Sequence, residues 1–556
     1  MRESAMGLLD NAFRSPSFRW DEASARHLLN RAGFGVPPAA VARLAAMKPD
    51  EAVASLVDYE RFPPNMKEPD WIQPPLDFRE LRQKMQGLSE DERRSLRNQM
   101  RRSEREAMSR LQMWWLDRIC HTQRPLEEKL TLFWHGHFAT SAEKVREPAY
   151  NHHLNQTLRQ HASGNFRTLV IEVGKSPAML RYLDNIQNRS GRPNENWARE
   201  LMELFTLGIG HYTEQDIREA ARAFTGWTIR NGAFAFDGRL HDSGVKTILG
   251  RTGRFDGEDV VDILLGHPAC AEFISRKLWT YFAYENPEPE IVTGLAATLR
   301  DGGYELKPVL RRMFSSQAFY SSRARFSQIK SPAQLVAGLH AQLDVPLTER
   351  PPVVALAMRA MGQALFYPPN VKGWDGGRAW INTNTYLVRC NLASHFVSGV
   401  APDFGGRPRG AGAAGTTPQQ AEETMRDRAA LSAAAVSDQD RPAGQDAMPP
   451  DNPSRTFAEA LRSRRTTGRS DTRNAGLFQA RAFFARFHGM KPAEIVDALA
   501  AYFLGFPLDE TQRERLAAIL AGGGSPNRPV AVTSVPEENL RAVVQLLLSL
   551  PDYQVC

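Results

Sequence analysis

Glu200 and Glu203 stand three residues apart, with Asn196 four before Glu200, in the stretch PNENWARELMELFTLGIGHYT at 193–213. On a helix this i, i+4, i+7 spacing puts the amide and both carboxylates on one face. Two carboxylates sharing a face bind a hard cation or divide into general acid and general base. The rest of the stretch is mainly Leu, Met and Phe. A short helix so apolar is buried, and buried acids and amides need a partner or a ligand. Asn194, Asn196 and Arg199 would then meet substrate, unless Arg199 and Arg222 pair with the acids in a structural ion network.

Three further constellations could join them. His135 and His137, in Trp134-His135-Gly136-His137, project to opposite sides of a helix but to the same side of an extended segment. If the helix frays after Trp134, both imidazoles reach one metal or one substrate; otherwise at most one does. His241-Asp242, with Lys246, forms a polar group on a loop, a common place for functional groups braced by a rigid element. Finally, Asn370, Lys372 and Trp374 sit in a Pro- and Gly-punctuated run at 366–377, followed by Trp380 to Thr385. Such a loop lines a cleft for sugars or peptides, or seals a helical bundle by tucking two Trp into it.

The expected catalytic set is therefore His135, His137, Glu200, Glu203, His241 and Asp242. The expected substrate contacts are Asn194, Asn196, Arg199, Lys246, Asn370, Lys372 and Trp374. If a cofactor is bound, a divalent metal on His135, His137, Glu200 and Glu203 suits these donors. The chain carries no P-loop, GxSxG, HExxH, dinucleotide or CxxCH signature.

Helices must position these groups. Asp21 to Asn30 reads as a helix closed by Gly33 and Gly35. Ser89 with Glu92 is a capping-box pattern opening about thirty helical residues to Cys120, and Pro125 sits in the first turn of the helix reaching His137. A helix over Asn196 to Leu207 and another opened by Thr213 with Asp216 follow. Asn231-Gly232 between two short apolar runs reads as one small β-hairpin through a type I′ turn. From about Ala401 to Asn474 the chain turns rich in Gly, Pro, Ala, Arg, Asp and Thr, the composition of a disordered insertion, with a short helix near Phe457 to Arg462. The expected fold class is mostly α, a multi-helical globular body with one hairpin and this insertion. Its expected parts are 1–125 with a long charged helix, a central core at 126–400 holding the site, the insertion at 401–475, and a C-terminal helical segment at 476–556.

Composition narrows the function classes. With 63 acids interspersed among 70 Lys plus Arg, the net charge of +7 is mild for 556 residues, so no nucleic-acid partner is expected. Cys120, Cys270, Cys390 and Cys556 are far apart without CxxC spacing, which argues against a structural zinc site or a disulfide framework. No run approaches eighteen apolar residues, so no membrane span is expected. The N-terminal residues show neither a signal-peptide core nor a twin-arginine pair, and a cytoplasmic location is expected.

HLLNRAGFG (27–35), LTLFWHGHFATS (130–141), NENWARELMELFTLGIGHYTEQDIREAARAFTGW (194–227), HDSGVKTILG (241–250) and PPNVKGWDGGRAWINTNT (368–385) occur together and in this order. They resemble the bacterial family called domain of unknown function 1800, over nearly all of 21–398 and again near the C-terminus. The resemblance implies a mostly helical protein, often encoded beside a sulfatase-like partner of the family called domain of unknown function 1501. Many members of both families bear export signals, so a periplasmic location is the other possibility. The family carries no activity to transfer. Two readings follow from the residues taken with the resemblance: a hydrolase- or transferase-type enzyme, metal-assisted or not, acting on a polar polymer or its fragments, or a non-catalytic helical scaffold assisting assembly or export of the sulfatase-like partner that the resemblance implies.

Overall fold

Helix starts are written in capping residues. Asp21 accepts from the Ser24 amide at the head of Glu22–Ala32. Ser89 and Glu92 close a reciprocal capping box that opens the 32-residue helix Glu90–His121. Pro125 begins Pro125–His137, where its missing amide hydrogen costs nothing. Thr213 and Asp216 cap Glu214–Ala223 in the same reciprocal way. A computed structural model of the protein describes residues 7–75, 78–347, 351–399, 478–526 and 528–556, and among these helices dominate. The expected insertion at 401–475, with its short helix near 457–462, lies outside the described residues.

Strands β1 (Trp227–Arg230) and β2 (Ala233–Phe236) pair antiparallel, Arg230 opposite Ala233. Asn231 and Gly232 join them with φ of 51° and 76°, the left-handed pair that a type I′ turn requires. A second hairpin, which the sequence reading did not include, follows at once: β3 (Lys246–Ile248) pairs with β4 (Arg251–Gly253). Leu249 and Gly250 turn it at φ of 47° and 76°, so half of its turn signal is carried by a leucine. The expected single helix over Asn196 to Leu207 is also corrected. Only Asn196–Glu200 is α-helical, and Leu201–Thr206 continues as a π-helix.

Two apolar cores fill the described residues. The first gathers helices from 22–32 through 306–314, including Trp134, Trp197, Phe205 and Trp279. The second joins the end of the long helix (Leu111, Trp115, Ile119) to helices of 332–398 and 480–548. Pro125–His137 lies between them. Leu130, Phe133 and Trp134 enter the first core, and Leu132 enters the second. The Phe478 amide donates to the Phe396 carbonyl at 3.4 Å, which ties the start of 478–526 to the helix ending at Ser398.

Candidate functional site

Helix Pro125–His137 does not fray before His137, so its two imidazoles point into different surroundings. His135 faces the second core among the rings of Trp115, Phe366 and Trp374, with centroids 5.1, 5.4 and 5.7 Å away. Both its ring nitrogens are buried without a hydrogen-bond partner, and burial pushes its pKa down to about 3. His137 faces the first core and is fully used. Its Nε2–H donates to the Phe205 carbonyl at 3.0 Å, and its Nδ1 accepts from the Lys277 Nζ at 3.0 Å. That tautomer is the one that satisfies both neighbours. Burial, then the Lys277 charge, hold His137 well below the usual histidine range, so it is neutral. The expectation that both histidines could serve one site is therefore corrected: an unbroken helix separates them.

The acidic pair is brought together. Burial, then the neighbouring Glu203 charge, raise the Glu200 carboxyl above its ordinary pKa, against the opposing pull of Arg199 and Lys372. Glu200 makes no ion pair or hydrogen bond to any described side chain, whereas Glu203 accepts from the Tyr212 hydroxyl at 2.9 Å. Tyr182 stands close by, its phenol raised by burial and by the charges of Glu200 and Glu143. Two adjacent carboxyls thus differ in their hydrogen bonding, with two phenols beside them.

The loop at 366–377 links this pair to His135. Lys372 lies near enough to pull on Glu200, while Trp374 packs its ring on His135 and leaves its own indole N–H buried and unpartnered. Asn370 is exposed, and its Oδ1 accepts from the Lys372 amide at 2.8 Å and shapes the turn. The loop closes by glycine on glycine. Gly373, at φ 86°, sits where a Cβ would meet the Gly136 carbonyl oxygen at 2.0 Å, so no larger residue allows this approach. Phe366 holds φ of 65° at the loop's start, a strained value for an aromatic residue.

The remaining expected residues serve local bonds. Asp242 is paired with Arg222 through both oxygens, at 2.8 and 3.2 Å, and that hydrogen-bonded guanidinium holds it below the usual carboxylate range. His241 Nδ1 lies 2.9 Å from the Thr225 carbonyl. Lys246 is buried and donates to the carbonyls of Asp242 and Gly244. Arg199 bridges Glu195 and Glu214 instead of covering Glu200. Asn194 accepts from the Asn196 amide at 3.0 Å, fixing the start of the acidic helix, and Asn196 itself is exposed. Among the described residues no three His, Cys, Asp or Glu side chains are grouped so as to hold a metal ion, so the donor set proposed for a divalent metal does not assemble.

One polar cluster escaped the sequence reading. Glu128, fully buried on the helix face that also carries His135, accepts from Trp115 Nε1 at 3.0 Å, from Arg118 Nε at 2.6 Å and from Arg159 at 2.6 and 3.0 Å. Burial alone would raise its pKa, but Arg159 and Arg118 outweigh burial and lower it. No local pattern announces this, because the partners come from separate helices.

A family model described as Protein of unknown function (DUF1800) matches residues 27–555, nearly the whole chain. The chain belongs to this family. No curated protein and no solved structure matches it. The family match therefore spans both cores, the acidic pair, the 366–377 loop and the His241–Asp242 group, and brings no activity with it.

Proposed function

We propose that the protein is a hydrolase- or transferase-type enzyme whose acid–base pair is Glu200 and Glu203, acting on a polar polymer or its fragments. The observation that carries this reading is the state of Glu200: partly buried, without an ion partner, and raised in pKa beside a second carboxyl. Two adjacent carboxyls in unlike environments are how one site holds a proton donor and a charged base together. Glu200 is the donor and Glu203, held by Tyr212, the base or charge stabiliser. Lys372 supplies positive charge near Glu200, from the same loop that carries Trp374. No step through a metal is drawn, since the donors do not gather.

The test is release of new reducing ends from a panel of soluble polysaccharides, with wild type and Glu200→Gln side by side. Turnover by the wild type that falls about 100-fold or more in the variant, with folding retained, supports the pair. Equal turnover in both, or none on any member of the panel, counts against it.

A second reading has its own support at His241–Asp242, where Arg222 holds the Asp242 carboxylate, the Thr225 carbonyl meets His241 Nδ1 and Lys246 donates to the Asp242 carbonyl. This is the pattern of a structural network, and it suits a scaffold for a sulfatase-like partner. Co-purification of such a partner with a Glu200→Gln protein as readily as with wild type would favour that role over catalysis.

A further inference from the structure

We propose that Lys277 is a reactive amine that condenses with an aldehyde or ketone to form an imine. It lies on helix Pro268–Phe282 and reaches the last turn of the π-helix at Leu201–Thr206. Its Nζ lies 3.0 Å from His137 Nδ1 and 3.3 Å from the Leu204 carbonyl, and 4.8 Å from the centre of the Phe273 ring. No carboxylate among the described residues pairs with it. This sets it apart from Lys144, Lys175 and Lys307, which pair with Asp184, Glu258 and Glu60. It also differs from Lys246, which is almost wholly buried under its own carbonyl acceptors, because Lys277 keeps part of its surface exposed.

The two acceptors are what make the amine available. A neutral amine has two hydrogens, and here one goes to His137 and one to the Leu204 carbonyl. Losing the third proton breaks neither bond and leaves the lone pair at the remaining tetrahedral position. Neither acceptor is charged, since His137 is held neutral, so no anionic partner holds Lys277 in the ammonium form. Burial lowers Lys277 to about 8. Lysines desolvated beside apolar walls are those used for imine chemistry.

The step balances without an oxidant or reductant. The Nζ lone pair attacks the carbonyl carbon, the C–N bond forms, and the C=O π pair moves to oxygen. The two amine protons and that oxygen leave as water, and the C=N bond remains. The proposal does not depend on Glu200 or Glu203.

Propanal with sodium cyanoborohydride at pH 7.5, followed by peptide mapping, tests it on the wild-type protein. The reagent reduces any imine to a stable propylamine. At that pH an amine at about 8 is roughly a quarter free, against about a thousandth for an ordinary lysine. Lys277 should therefore be alkylated about tenfold or more faster than Lys144 and Lys307, and Lys277→Arg should remove that adduct while leaving the others. Alkylation of Lys277 at or below the rate of Lys144 and Lys307 would overturn the proposal.

Discussion

At the residue scale, His135 and His137 separate by what their ring nitrogens do. His135 has no polar partner, so His135→Phe replaces an unsatisfied buried ring with an apolar one of similar shape. Stability measured by urea denaturation should stay within about 1 kcal/mol of wild type or rise. His137→Phe strands the Phe205 carbonyl and Lys277 instead, and should cost about 1–3 kcal/mol. Glu128→Gln breaks a carboxylate held by two arginines and should cost about 3–5 kcal/mol. The pH signs are opposite for the two acids. Glu128 is lowered in the folded protein, so its stabilisation is present above the unfolded pKa and lost as pH falls through the folded one. Glu200 is raised, so it opposes folding increasingly as pH rises through its midpoint. Glu200→Gln should therefore leave stability at neutral pH unchanged or slightly higher, by about 0.5 kcal/mol.

At the scale of elements, what could be read from the chain was local. Ser89 with Glu92, Thr213 with Asp216 and Asn231-Gly232 each complete their bonds within a few residues, and each appears in the structure as the spacing implies. The π-helix at Leu201–Thr206 was not legible, because no local pattern announces its i→i+5 bonding, as from the Leu207 amide to the Met202 carbonyl, or the distant Lys277 and His137 that donate to its carbonyls. Glu128 was missed for the same reason: Arg118 is 10 residues away and Arg159 is 31. The second hairpin hid behind Leu249, a residue that seldom turns left-handed. Of the candidate site, the nearness of Glu200 and Glu203 was readable from spacing, whereas the π-helix that carries Glu203, Tyr182, Tyr212 and the pull of Lys372 needed the fold. The loop that brings Lys372 depends on Gly373. Gly373→Ala should cost about 2 kcal/mol by thermal or urea denaturation. It should also let Glu200 titrate higher still, because the Lys372 charge that opposes the rise moves away.

At the scale of the molecule, two cores meet along Pro125–His137, and the stretch 478–556 completes the second of them. The Phe478 amide bonds to the Phe396 carbonyl, so the chain ends flanking 401–475 are already adjacent. Replacing 401–475 by a Gly/Ser linker of about 8 residues shortens the chain that joins those ends. Its thermal midpoint should match or exceed that of the full chain, and a drop of more than about 5 °C would show that the replaced stretch stabilises the body.

The most direct measurement of the acid pair is the titration of Glu200 by carboxyl-13C NMR of glutamate-labelled protein, assigned with Glu200→Gln. Its midpoint should lie above the ordinary glutamate value of about 4.3 and fall toward it in Glu203→Gln, which removes the neighbouring charge. A midpoint at or below the ordinary value, or one that Glu203→Gln leaves in place, would contradict the acid–base pair.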